Sequence, residues 1–309
     1  MKRYYLPHDG FLLKNLYKRI VKGYRPLPSF PEVVQIQTIT GCNARCVFCP
    51  NSILYDKLPK GTMEWDLFRK IIDEICKYNV KRISPYLMNE PLLDRDLPRK
   101  IKYIAENKRK DTIIKINTNG SLLDDEMAEA LIESGLDRIN FSVHGITKRT
   151  YESQMVGLNL EKVLENIDMF LSIKKKKGAS KPRVRVTMVR TREVEKEIDY
   201  IKKYWESRGV KVNIRKLENR AKKEIVMRGI NSVEWKPFSI CDRMFRQAYI
   251  TFDGKVVLCC VDWERTTVLG DLNVHTLKDV WNSQYYMELR RKFLKGDLSN
   301  MLCSKCLMS

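Results

Sequence analysis

The chain has 309 residues, 58 basic and 38 acidic for a formal charge of +20, with 43% hydrophobic residues, nine cysteines and three histidines. Such a chain buries a core by itself, as one large domain or one with an appendage, and needs no disulfides to fold. No apolar run approaches the roughly 20 residues that cross a bilayer, and Pro7 and Asp9 stand where an export signal needs apolar residues, so a cytoplasmic protein is expected.

Residues 1–31 carry seven basic side chains against Asp9 alone, with Phe11, Leu12, Leu16, Tyr17 and Ile20 at helical spacing. They read as a basic N-terminal extension holding a short amphipathic helix. Prolines from Pro26 to Pro31 then break any helix, and a domain is expected from residue 32. From Val33, six β-rich runs (33–39, 80–88, 112–118, 138–144, 183–189 and 210–217) alternate with helical candidates at 63–77, 94–106, 122–134, 160–175 and 193–207. Asp94 and Asp124 are expected to cap helices that follow them, and Gly135 and Gly209 to end helices. This alternation predicts an α/β fold, a partial (βα)6 TIM-like barrel over residues 32–220. Residues 221–309 form a second unit, a small α+β module. Within it AYITFDGKVVLCC reads as a β-hairpin turning at Asp253-Gly254.

Nine cysteines, mostly clustered, point to metal or redox chemistry rather than bridges. Cys42, Cys46 and Cys49 follow the first strand with Cys-x3-Cys-x2-Cys spacing. Three thiolates so close can cup one face of an iron-sulfur cube and leave a fourth metal corner open for substrate; zinc is the alternative, but no fourth protein ligand lies nearby. Ligand sites of βα barrels lie at the carboxyl ends of strands, where this motif sits.

With aromatic Phe48 before its last cysteine, this run resembles the signature of radical S-adenosylmethionine (SAM) enzymes, and the resemblance extends over most of 33–217. It implies a SAM-binding [4Fe-4S] cluster on Cys42, Cys46 and Cys49. It also implies SAM contacts by Phe48, by Asn89 and Glu90 of Met88-Asn89-Glu90-Pro91, by Asn117 and Asn119 of the third unit, and by Ser142. In this chain Met88-Asn89 replaces the family's glycines and His144 replaces an acidic residue. His144 is read either as a substrate contact or proton donor, or as a strand-end imidazole bonded to a backbone carbonyl. The family's arginine for the SAM carboxylate is missing from 151–157, so another cation must serve.

The tail's Gly254-x4-Cys259, Cys259-Cys260 pair and Cys303-x2-Cys306 resemble SPASM and twitch modules. The resemblance implies one auxiliary [4Fe-4S] cluster on Cys241, Cys259, Cys303 and Cys306; Cys260 is expected to point to the opposite side of an extended strand, though the two can be exchanged. A zinc ribbon is the alternative. Cys76, among Ile72, Ile75 and Tyr78, reads as a buried inert thiol.

Residues 171–223 hold 19 basic and six acidic side chains. Such localisation suits an anionic partner, whether RNA, a nucleotide-linked or phosphorylated small molecule, an acidic peptide or a flavodoxin-like reductant, while a lysine-rich solvated surface is the neutral account. Tyr200, Tyr204 and Trp205 at helical spacing read as core. The resemblance implies an enzyme that reductively cleaves SAM to a 5′-deoxyadenosyl radical and abstracts a hydrogen atom from its substrate. The auxiliary cluster would accept an electron, and a flavodoxin or ferredoxin would supply the reducing ones. A small polar or sugar-like substrate is preferred over a peptide, and a zinc-stabilised RNA-binding protein is the non-enzyme alternative. Asp262 and Trp263 join His144 as polar candidates near the chemistry.

Overall fold

The computed structural model describes residues 27–218, 220–221 and 241–307; the helix expected in the N-terminal extension lies outside them. Six parallel strands occur where the β-rich runs are: β1 Val33–Ile36, β2 Arg82–Ser84, β3 Ile113–Thr118, β4 Arg138–Ser142, β5 Arg183–Val189 and β6 Lys211–Arg215. They form an open sheet whose order continues past β1 into the tail, as β6-β5-β4-β3-β2-β1-β7-β8-β9.

Helices cover one face. They are α1 Asn51–Leu54, α2 Trp65–Cys76, α3 Leu97–Asn107, α4 Asp125–Glu133, α5 Lys148–Gln154, α6 Leu160–Lys176 and α7 Arg192–Glu206. Their apolar stripes pack on Val34, Ile36, Ile83, Ile114, Ile116, Ile139, Phe141, Val186 and Met188, alternate strand residues that are almost wholly buried. Asp124 caps α4 by accepting from the amide of Met127 at 2.8 Å, and Gly135 and Gly209 take the positive φ that ends a helix. Asp94 corrects the sequence reading. Helix α3 begins three residues later, and the Asp94 carboxylate instead pairs with Lys100 at 2.7 Å, both side chains 3% exposed.

The tail is joined to the barrel by backbone. Strand β7 (Gln247–Ile250) pairs in parallel with β1 over four residues, and β8 (Lys255–Val257) and β9 (Val268–Asp271) follow antiparallel. The hairpin expected at Asp253-Gly254 is present. Gly254 has φ +83° and lies against Asn273, so the turn needs a residue without Cβ. Helices α8 Arg243–Arg246, α9 Leu277–Trp281, α10 Gln284–Leu294 and α11 Ser304–Leu307 complete the described tail. Helix α9 is tied back to the barrel by Glu74 of α2, whose carboxylate accepts from the amides of Leu277 and Lys278, and by the Trp281 indole, which donates to the Pro28 carbonyl.

Of the aromatics on α7, Trp205 is core, as expected. Tyr204 is covered by the Arg208 guanidinium at 3.8 Å, but Tyr200 is 59% exposed, a correction to its reading as core. Cys76 packs against the core at the end of α2, where burial pushes its thiol up to about 11. No helix among the described residues is long and apolar enough to cross a membrane.

Candidate active site at the carboxyl end of the barrel

Cys42, Cys46 and Cys49 lie on the loop leaving β1, each part-buried. Gly41 before them has φ +89°, and its carbonyl accepts from the amide of Glu90, fixing the loop to the end of β2. Hydrogen-bond donors converge on the sulfurs. The Ala44 amide lies 3.4 Å and the Asn119 side-chain nitrogen 3.9 Å from the Cys42 sulfur, and Arg220 reaches within 3.9 Å of the Cys49 sulfur. Donors facing sulfur favour its anionic, metal-bound form. Burial pushes Cys42 up to about 12 and Cys46 higher still. Among the described residues, no three His, Cys, Asp or Glu side chains are grouped as the ligands of a single metal ion.

Glu90 is 3% exposed, and its carboxylate accepts from the Leu92 amide at 3.1 Å, the Thr118 hydroxyl at 2.5 Å and the Asn119 amide at 2.8 Å. It therefore stitches the end of β2 to the end of β3, and burial pushes it up to about 7. Met88 takes φ 55°, the left-handed conformation that glycine adopts freely, so this backbone keeps a glycine-like shape with a side chain on it. Asn119 is fully engaged: its amide nitrogen donates to Asn43 and its oxygen accepts from Ser121. Asn89 and Asn117 differ. The Asn89 side-chain nitrogen and the Asn117 side-chain oxygen are buried without a hydrogen-bond partner, which suits groups waiting for a polar ligand. Ser142 ends β4 on the same face as Asn117.

His144 accepts from the Val189 amide through Nδ1 at 2.9 Å and meets Phe48 edge-on at 4.6 Å. Burial, with Arg220 adding to it, lowers the imidazole to about 3, so it stays neutral, with its proton on Nε2. The imidazole is thus a strand-end group tied to backbone, but its partner is an amide where a carbonyl was expected. Phe48 is buried with Val189 and Leu217. A cavity of about 400 Å³ opens beside Cys42 and is also lined by Met88, Tyr55, Trp263 and Arg265. Tyr55 and Arg265 were not singled out from the sequence; no spacing marks them. Trp263 thus borders the site, whereas Asp262 is turned inward, accepting from Thr266 and the Thr267 amide.

In the tail, Cys241, Cys303 and Cys306 act electrostatically on one another, and Cys259 and Cys260 both lie within the field of Arg243. Strand β8 ends at Val257 and the chain turns, the Cys259 carbonyl accepting from the Asp262 amide. The thiols of Cys259 and Cys260 influence each other, which holds Cys259 up and draws Cys260 down. Cys260 also packs with Leu87, Met88, Tyr249 and Val257, facing the end of β2.

The donor set fits the cofactors its chemistry suggests: soft thiols in two groups, sulfur-directed donors and unpartnered polar atoms between them. Residues 36–199 match the model of the radical SAM superfamily, and residues 241–307 match SPASM, an iron-sulfur cluster-binding domain. A Pyrococcus furiosus protein, the tungsten-containing aldehyde ferredoxin oxidoreductase cofactor-modifying protein, is 26% identical over 89% of this chain and 87% of its own length. A probable GTP 3′,8-cyclase of Methanococcus maripaludis is 33% identical, but over only 43% of each chain. Among solved structures, BtrN in complex with AdoMet and 2-DOIA covers 89% of this chain and 92% of its own at 19% identity, with a TM-score of 0.59. SuiB of Streptococcus suis bound to precursor peptide SuiA covers 90% and 70% at 15% identity, with a TM-score of 0.68. With more than half its length matched by one family model and its cysteine-bearing tail by the other, the chain belongs to the radical SAM superfamily, with a SAM-binding [4Fe-4S] cluster and an auxiliary iron-sulfur site in a SPASM-type domain.

Proposed function

We propose that the enzyme oxidises a small polar molecule, with the tail's cluster taking up the electron left after hydrogen abstraction. When bound at Cys42, Cys46 and Cys49, the first cluster supplies the electron that cleaves SAM and so yields the hydrogen-abstracting 5′-deoxyadenosyl radical. The observation carrying the reading is the apolar cluster of Leu87, Met88, Tyr249, Val257 and Cys260, which sets Cys260, the neighbour of the proposed ligand Cys259, against the end of β2. An electron acceptor belongs there. The near full-length likeness to a protein named for modifying a cofactor supports a small-molecule substrate over a peptide. Cys241, Cys259, Cys303 and Cys306 are proposed as the auxiliary ligands, with Cys260 as the exchange partner of Cys259. The core and tail units are taken as 32–220 and 221–309.

The chain's own residues orient SAM and exclude water. Asn89, Asn117 and Ser142 are assigned to its polar groups, Glu90 and Asn119 to holding the loops that carry them, and Phe48 with His144 to a dry wall behind the cysteines. Arg220, beside the Cys49 sulfur, fills the place of the missing carboxylate partner. Arg220→Gln is expected to weaken SAM binding roughly 10- to 100-fold, the worth of one charge-assisted hydrogen bond, with iron content unchanged. Calorimetric titration of SAM checks this, and an unaltered affinity would remove Arg220 from the site.

Electron paramagnetic resonance on anaerobically reconstituted, dithionite-reduced protein tests the function. Wild type is expected to show two cluster signals, one perturbed by SAM. The Cys42/Cys46/Cys49→Ala variant should keep only the signal that ignores SAM. A wild-type spectrum without iron signals, or one that SAM leaves unchanged, overturns the reading.

A further inference from the structure

The six parallel strands have two unlike faces. One is the apolar face already described; the other carries a cation from each of five successive strands. Register pairs Lys115 of β3 with Arg138 of β4, and strand alternation puts Arg82 of β2, Arg185 of β5 and Arg215 of β6 on that same face. On a flat sheet β2 and β6 would stand about 19 Å apart at roughly 4.8 Å per strand. Here Arg82 and Arg215 both act on Tyr86, and all four arginines act on Lys115, so the sheet curls and the cations gather about Lys115, with Arg82, Lys115 and Arg138 half-buried and Arg185 and Arg215 exposed at the rim.

Nothing in the described chain neutralises them. The six strands contain no Asp or Glu. None of the five cations has an ion-pair partner among the described residues, and the Arg82 Nε is buried without any hydrogen-bond partner. Two further groups on this face wait unpaired: the hydroxyl of Ser84, 1% exposed, and the side-chain oxygen of Asn140, 7% exposed. Repulsion among the half-buried Arg82, Lys115 and Arg138 is costly unless an anion enters. Lys115 is flanked by strands on both sides and half-buried, which suits a small anion better than a nucleic-acid strand or a protein surface.

We propose that the barrel lumen is the binding site for a small polyanionic substrate, a phosphoester or polyphosphate, held by Arg82, Lys115, Arg138, Arg185 and Arg215. The inference rests on the radical SAM reading and names the substrate class for it. Asn117 and Ser142 stand on the same face, two and four residues further along their strands than Lys115 and Arg138, so a molecule anchored at those two cations extends from there toward the hydrogen-abstraction site.

The test is calorimetric titration of inorganic pyrophosphate into anaerobically reconstituted protein. Wild type is expected to bind it at a single site. Arg82→Gln/Lys115→Met should weaken binding at least about tenfold, as removal of charge-assisted contacts does. Lys176→Ala/Lys203→Ala, which removes the same charge from exposed surface positions, should stay within about twofold, as expected of screened surface charge. Because removing an unpaired cation relieves repulsion, the lumen variant is expected to melt at or above the wild-type temperature without ligand. An equal loss in both variants, or no wild-type binding at millimolar pyrophosphate, overturns the proposal. Formation of 5′-deoxyadenosine by the same wild-type preparation is measured alongside. Its absence sinks the radical reading whatever the titration shows, and its presence without pyrophosphate binding sinks the lumen site alone.

Discussion

Glu90→Ala is expected to cost about 3 to 5 kcal/mol of folding stability, because it strands two backbone amides and one hydroxyl in a buried site. The carboxylate now accepts from Leu92, Thr118 and Asn119 and joins the ends of β2 and β3. Glu90→Gln should cost less, about 1 to 3 kcal/mol, since an amide still accepts at one end and leaves one backbone donor facing a donor. The pH dependence separates a buried carboxylate from a solvated one. Burial raises Glu90 from 4.5 to about 7. Between these values the folded protein keeps a proton that the unfolded chain has released, so this group's contribution falls as pH rises through that window, by about 3 kcal/mol in all. The glutamine variant lacks that slope, so its deficit should be larger at pH 5 than at pH 8. Urea unfolding of the cluster-free protein at both pH values measures it, and an alanine variant within 1 kcal/mol of wild type, on the order of one ordinary hydrogen bond, would show that the carboxylate holds nothing.

Lys115→Met should do the reverse and stabilise the protein by about 2 to 3 kcal/mol at pH 7. Burial lowers this lysine from 10.5 to about 8, and Arg82, Arg215, Arg138 and Arg185 add to the shift. Below pH 8 it is charged in both states, and the folded state bears the full penalty. From pH 8 to 10.5 the unfolded chain holds the proton and the folded one does not, so wild-type stability rises there. The methionine variant has no such rise. The advantage of the variant should therefore shrink to nothing near pH 10.5, a profile that thermal melts across pH 7 to 10.5 resolve. A variant less stable than wild type at pH 7 would mean that the lysine has a partner in the lumen.

The parallel strands were legible because one face is apolar and packed under long amphipathic helices, which leaves β-rich runs between helical stretches. Strand β5 matched its run residue for residue. Helices α1 and α5 were missed for the opposite reason: at four and seven residues they are too short to show a period. The pairing of β7 with β1 joins residues more than 200 positions apart, and no local pattern encodes such a partner. The thiols of Cys42, Cys46 and Cys49 were legible from spacing alone. Glu90 was found by motif, but its occupation by three of the chain's own donors is tertiary. The lumen cations were in plain view as Arg-Val-Arg-Val in β5 and Lys-Val-Asn-Ile-Arg in β6. Counting charge by segment hid them, because a period of two sorts residues by face and a total does not.

The parallel ladder between β1 and β7 also governs how the two redox centres keep their separation. Both the loop bearing Cys42 and the hairpin leading to Cys259 grow from adjacent strands of one hydrogen-bonded sheet. The span between the centres is thus set by backbone, and a hinge that changed it would have to unzip four residue pairs. A core expressed without its tail would lose more than a cluster: the bare edge of β1 would become a template for the next chain, and self-association would be its first visible phenotype.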